Sequence, residues 1–274
     1  MKRGNLWIVA LLAIFLVGST AVADAKTKKG KTKTSTTKTT KKGKKTSKSN
    51  NLTFIVNGVK FEMVPVEGGT FTMTNRVGYD EYEEQSVTLD TYYIGQTEVT
   101  QALWKAVMGD FILDPSEFKN DKCPVANVRY EDCIVFIYQL KKLTGKEFRF
   151  PSAAEWQFAA RGGNKSHGYK YSGGNDINKV AWYGANSANK PHKVATKAAN
   201  ELGIYDMSGN VSEWCDEYDD GTRSTSAKIG PGRAVPKATF YNGNWNSEPQ
   251  ECEIRYMDAN DGSGLPFIGL RLAL

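Results

Sequence analysis

Residues Phe148-Arg149-Phe150-Pro151-Ser152-Ala153-Ala154-Glu155-Trp156 decide how this chain folds. Ser152 with Glu155 three residues later is a capping box, in which each side chain accepts from an unpaired N–H at a helix start. Gly162-Gly163 ends the helix that begins there. Arg149, Glu155 and Trp156 then read as structural groups of a capped helix with its aromatic face turned inward. Working back along the chain, residues 131–143 read as a second helix. Ile134, Ile137, Tyr138 and Leu140 are spaced for a buried stripe, and Gly145 lies just beyond. Thr100 opens another helix with Leu103, Trp104 and Val107 on one face, stopped by Gly109. Asn57-Gly58 between the runs 54–56 and 59–66 is a strong hairpin signal, since both residues tolerate positive φ. The runs 71–73 and 87–94 read as strands. Beyond Gly163 long helical patterns are absent, and Gly, Asn, Ser and Asp punctuate short segments to Leu274. A few helices, short strands and long loops describe an irregular α+β domain over residues 51–274.

The other end of the chain is of a different kind. Lys2 and Arg3 precede an apolar run from Leu6 to Val17, which leads to Ala21-Val22-Ala23-Asp24-Ala25. A positive start, an apolar stretch too short for a comfortable span and an A-x-A pattern make 1–25 a signal peptide. The chain is expected to be exported, whether periplasmic, at the cell surface or secreted. Residues 26–50 hold eleven Lys, eleven Ser or Thr and no acid. With nothing apolar to bury and a uniform charge, they read as a disordered tether. That tether can touch an anionic envelope surface or serve as a solvated spacer. It more than accounts for the net charge of +6, so residues 51–274 are acidic and a nucleic-acid partner is excluded. A monomer is expected.

Of the four cysteines, Cys123, Cys133, Cys215 and Cys252, three pairings are open, and their spacing matches no structural zinc site. His167 and His192 are the only histidines and lie far from the cysteines in sequence. A Cys-His or Ser-His-Asp nucleophile is poorly supported.

Six landmarks in order resemble the formylglycine-generating-enzyme (sulfatase-modifying factor) family. They are Met63-Val64-Pro65-Val66-Glu67-Gly68-Gly69-Thr70-Phe71-Thr72-Met73, Gln96-Thr97-Glu98-Val99-Thr100 and Pro124-Val125-Ala126-Asn127-Val128. The stretch quoted first follows, continuing to Ala159-Ala160-Arg161-Gly162-Gly163. Gly203-Ile204-Tyr205-Asp206-Met207-Ser208-Gly209-Asn210-Val211 with Glu213-Trp214, and Gly269-Leu270-Arg271, complete the set. The resemblance implies an irregular α+β relative of the C-type lectin fold. It also implies a structural calcium ion held by Asp206, Gly209, Val211 and Glu213, and oxygen donors of this kind suit a hard cation.

Enzymes of that family oxidise a substrate cysteine to formylglycine with O₂ and a copper(I) ion held by two cysteines. Soft thiolates select Cu(I). At the matching stretch this chain reads Asn242-Gly243-Asn244-Trp245-Asn246-Ser247-Glu248-Pro249-Gln250-Glu251-Cys252. Cys252 keeps the second position, but the first falls on Ser247, and the Trp often found before Glu213 is Ser212. Cys252 is thus the one candidate catalytic residue left, and copper is not expected. A disulfide, with Cys215 as first choice of partner, is the expected state of Cys252.

The reading that follows is a binding module: a kept scaffold whose former active-site surface takes a protein or glycan ligand. Asn244, Trp245, Asn246, Ser247, Glu248 and Glu251 are its candidate binding residues. The resemblance extends to retroelement-diversified ligand-binding proteins, which vary a C-terminal stretch. The alternatives are an active copper-dependent oxidase that matures sulfatases, and an envelope structural protein.

Overall fold

A computed structural model describes residues 50–76, 81–109, 111–218 and 238–274. The expected signal peptide 1–25 and, but for Asn50, the tether 26–50 lie outside the described residues. Among the described residues no helix is long and apolar enough to cross a membrane.

β1 (Leu52–Val56) and β2 (Val59–Val66) form the expected hairpin, with Val56 opposite Val59. Asn57 and Gly58 take φ of 46° and 83°, the successive left-handed residues of a tight hairpin turn. The free edge of β2 pairs antiparallel with β5 (Tyr92–Gly95). β3 (Gly69–Arg76) and β4 (Tyr82–Leu89) make a separate two-stranded sheet. The run 87–94, expected as one strand, therefore divides between two sheets. Gly68 N–H donates to Thr91 Oγ1 at 3.1 Å, pinning the residues where the chain leaves one sheet for the other. The third sheet has the order β8 (Met257–Asn260), β7 (Ala238–Tyr241), β6 (Ser212–Tyr218), β9 (Ile268–Leu270). Its strands are antiparallel except for the parallel pair of β6 and β9.

The helices begin where the side chains dictate. Thr100 Oγ1 accepts from Leu103 N–H at 3.2 Å to open α1 (Gln101–Met108). In α3 (Ala153–Ala160) both halves of the capping box are made: Glu155 N–H to Ser152 Oγ at 3.2 Å and Ser152 N–H to Glu155 Oε2 at 2.9 Å. Arg149 grips the same carboxylate with two bonds of 2.6 Å. Burial works to raise the Glu155 carboxyl, but Arg149 and the Ser152 N–H hold it below its ordinary value. A fourth helix, α4 (Ile177–Val180), is a single turn.

α2 (Tyr130–Thr144) lies where the spacing predicts, but its buried face is rotated. Tyr130, Cys133, Phe136 and Leu140 are inside, whereas Ile134 and Tyr138 are 48% and 54% exposed. The cause is a flat aromatic pair. Phe136 stacks on Trp104 of α1 with centroids 5.1 Å apart and planes 2° from parallel, while Tyr130 stacks on Phe150 at 4.7 Å. These two rings set the inward direction of the helix, and the aliphatic residues follow.

The C-terminal residues are stitched into the interior from both sides. Leu274 exchanges backbone bonds with Tyr93, Gly95 N–H donates to Leu272 C=O at 2.8 Å, and Ala273 exchanges bonds with Arg149. This places Arg271 wholly inside, opposite Glu213 of β6, each side chain 0% exposed. Arg271 Nε and Nη2 hold the carboxylate at 2.7–3.1 Å. Its remaining reach is spent on Gly95 C=O at 2.8 Å and Tyr205 C=O at 2.9 Å. Trp156 Nε1 of α3 donates to Glu213 Oε2 at 2.6 Å. A Cβ on Gly95 would lie 2.9 Å from Thr97 C=O and 3.3 Å from the Arg271 stem, so only glycine lets the backbone come this close.

Arg271→Met should lower stability by about 3–5 kcal/mol in urea unfolding, because Glu213 is left as a buried charge without its partner. Adding Glu213→Leu should restore part of that loss. On α2, Phe136→Ala should cost about 3–5 kcal/mol. Ile134→Ser, on the exposed side, should change stability by no more than about 0.5 kcal/mol in the same measurement.

Candidate ligand-binding cleft

The chain leaves β7 through Asn242 and Gly243 into a compact turn. Asn244 Oδ1 accepts from Asn246 N–H at 2.9 Å, and Ser247 Oγ accepts from Asn244 N–H at 3.0 Å. Short polar side chains that bond their own backbone hold such a turn without regular structure. A 3₁₀ turn, Pro249–Cys252, follows, in which Glu248 N–H donates to Glu251 Oε2 at 3.0 Å. Gly243 is obligatory here, since a Cβ would lie 2.8 Å from Cys252 Sγ and from the Glu251 backbone.

Asn244, Asn246, Ser247, Glu248 and Glu251 line one wall of a cleft of about 410 Å³. Tyr256, Asp258 and Asn260, just before and within β8, line it too, and Phe240, Leu265 and Phe267 supply apolar surface. The cleft carries three carboxylates, Glu248, Glu251 and Asp258, and no lysine or arginine among the described residues that line it. A second basin of about 630 Å³ shares Glu251, Tyr256 and Asp258 with it and is edged by Arg76 and Arg255. Arg255 is already engaged, bonded to Glu253 at 2.9 Å and lying over the Tyr82 ring at 4.7 Å.

The predicted binding residues thus come together, with one exception. Trp245 is half-buried behind the turn, edge-on to Phe118 at 5.9 Å, and it is not part of the cleft wall. Its backbone is tied inward by Trp245 N–H to Asn210 C=O at 2.9 Å and by Ser187 Oγ to Trp245 C=O at 2.5 Å. Sequence reasoning missed Tyr256, Asp258 and Asn260. Their recurrence at every second residue is the period of a strand facing the cleft, a signal too short to stand out.

Ser247 and Cys252 do not fit a copper ion. Ser247 Oγ is a hydroxyl committed to the turn. Cys252 is 0% exposed and packs with Tyr171, Val180, Ala181 and Tyr183, away from the cleft lining. Burial, with the Glu251 charge adding to it, pushes its thiol up to about 12, so with no metal beside it the thiol holds its proton. All four cysteines are thiols. The expected bond from Cys252 to Cys215 is not formed, because Cys215 sits on β6 in the core of Trp156 and Tyr241 while Cys252 belongs to a separate cluster.

Asp206, Gly209, Val211 and Glu213, the residues expected to hold calcium, each have a partner within the chain. The Glu213 carboxylate is taken by Arg271 and Trp156. Asp206 Oδ2 accepts from Ala195 N–H at 2.7 Å. The carbonyls of Gly209 and Val211 both face the side-chain amide of Asn242, at 2.8 and 3.2 Å. Buried Glu98 lies beside Asp206 and accepts from Asn210 Nδ2 at 3.0 Å. Burial raises the Glu98 carboxyl well above its ordinary value, with the Asp206 and Glu213 charges adding to the shift, and burial pushes Asp206 up to about 6.

The sulfatase-modifying factor enzyme 1-like domain family matches residues 56–274. The chain is 34% identical over 267 residues to the chaperone protein LppX of Paenibacillus barcinonensis, covering 78% of this chain and 89% of that protein. It is 31% identical over 128 residues to the inactive C-alpha-formylglycine-generating enzyme 2 of Bos taurus, covering 42% of this chain and 39% of that one. Among solved structures, Treponema denticola variable protein 1 superposes with a TM-score of 0.71 at 28% identity, over 82% of this chain and 99% of that one. Its irregular α+β framework agrees with the fold read from the capped helix, the hairpin and the loop-rich C-terminal half. The chain belongs to the sulfatase-modifying factor, or formylglycine-generating-enzyme-like, family.

Proposed function

We propose that this protein is a binding module rather than an oxidase, and that its cleft holds a positively charged, extended segment of another protein. The observation that carries this reading is the cleft's composition: Glu248, Glu251 and Asp258 on its walls, aromatic surface from Phe240, Tyr256 and Phe267, and no lining cation among the described residues. Carboxylates beside aromatic faces suit the ammonium or guanidinium end of a Lys or Arg and its apolar stem. Exposed Asn246 adds an amide that can bond a peptide backbone. A Paenibacillus relative is named a chaperone protein, and holding a stretch of another exported chain is a role this cleft can serve. A Bos taurus relative is named an inactive formylglycine-generating enzyme, which supports a reading without the oxidation. The reading places the protein outside the cytoplasm, led there by residues 1–25, with the basic segment 26–50 as spacer or envelope contact.

Fluorescence anisotropy with a Lys/Arg-rich peptide and its Glu-substituted twin tests the assignment. Binding should favour the basic peptide and weaken as salt rises, since exposed charges are screened within about 10 Å at 0.1 M ionic strength. Glu248→Gln with Asp258→Asn should weaken it roughly tenfold, or about 1.4 kcal/mol. Equal affinity for the two peptides would refute the charge assignment. The oxidase reading has its own check. Cys252 should resist iodoacetamide at pH 8 in the native protein and react once urea unfolds it. Stoichiometric copper(I) binding, with turnover of a cysteine-containing sulfatase peptide, would sink the binding-module reading.

A further inference from the structure

We propose that Asn242 is this chain's built-in replacement for a loop cation, so that the turn from Asp206 to Glu213 closes without a metal ion. The carbonyl oxygens of Asp206, Gly209 and Val211 converge on one point, and the atom at that point is Asn242 Nδ2, at 3.3, 2.8 and 3.2 Å. Carbonyls arranged this way repel one another unless something electropositive lies between them. A divalent cation does this with full charge; an amide NH₂ does it with two polarised hydrogens. The same side chain closes the ring, because Asn242 Oδ1 accepts from Gly209 N–H at 2.7 Å. Asn242 is 0% exposed, so no water competes for these bonds. Its own carbonyl accepts from Ser212 Oγ at 2.9 Å, which ties the amide to the start of β6.

The backbone is adapted to the same end. Asn242 sits at φ 75°, a left-handed conformation that Asn, Asp and Gly accept and most residues do not. The negative charge that a cation would also neutralise, Glu213, is met by Arg271 instead. An amide and a guanidinium, both covalently part of the chain, thus divide between them the work of one ion. Gly209 packs the turn against its neighbour: a Cβ there would lie 2.2 Å from Trp182 C=O. The loop is therefore closed from both sides by groups the chain itself supplies. This inference is independent of the peptide-binding reading and survives its failure.

Thermal unfolding of the full chain, in excess EDTA and in excess calcium chloride, tests it together with Asn242→Gly and Asn242→Asp. Both substitutions keep the left-handed backbone, but the first removes the amide and the second offers a carboxylate to the three carbonyls. The wild type should melt within about 1 °C in the two conditions and show no stoichiometric calcium by titration calorimetry. Both variants should melt lower in EDTA, and at least one should rise by roughly 5 °C or more in calcium at a hundredfold excess over its Kd. A wild-type midpoint that falls by several degrees in EDTA, or one calcium bound per wild-type chain, overturns the proposal. So does the failure of both variants to respond to calcium, whether or not they fold.

Discussion

The ion pair of Arg271 and Glu213 is the constraint on which the rest of this structure depends. Two opposite charges fully removed from water contribute little net stability compared with apolar residues of the same size, and their attraction offsets the lost hydration only in an arrangement that satisfies their remaining hydrogen-bonding groups. Here that arrangement requires α3 to present Trp156, β5 to bring up Gly95 and the loop before β6 to bring up Tyr205. The C-terminal residues must also be threaded between β5 and Arg149 before Arg271 can arrive. Regular secondary structure is sparse in this fold, and a shared polar centre does the work that a large sheet does elsewhere.

From that centre the cleft follows. Once Glu213 is held, β6 has a defined position, β7 pairs beside it and β8 beside β7, so the turn after β7 and the face of β8 must confront one another. Asn242 makes the connection tighter by bonding the turn's first residue to the loop before β6. The family's chemistry needs two sulfurs facing one cavity. This chain places a hydroxyl on the cleft wall and turns its one remaining sulfur inward, into an apolar cluster where the thiol stays protonated. The polar walls that are left are suited to recognition.

Much of the scaffold was legible in the residues because its signals are local. A capping box needs only Ser152 and Glu155, and a left-handed turn needs only Asn57 and Gly58. The face of α2 was not legible. Ile134 and Tyr138 have the right spacing for burial, but the choice of face was made by ring stacking against Trp104 and Phe150, which lie elsewhere in the chain. The cleft was half legible: Asn244 to Glu251 are one continuous stretch of sequence, whereas Tyr256, Asp258 and Asn260 join it only through strand pairing.

By itself, the sequence determined the family, the helix starts, the first hairpin and the loss of the copper-binding sulfur, since each rests on residue types within a few positions of one another. Only the tertiary structure decided which partner each buried polar group takes. Asp206, Gly209, Val211 and Glu213 have the composition of a cation site, yet Asn242, thirty-one residues beyond Val211, and Arg271, fifty-eight beyond Glu213, satisfy them instead. Electrostatic partners inside a protein are chosen by distance in space, and no local pattern records that distance.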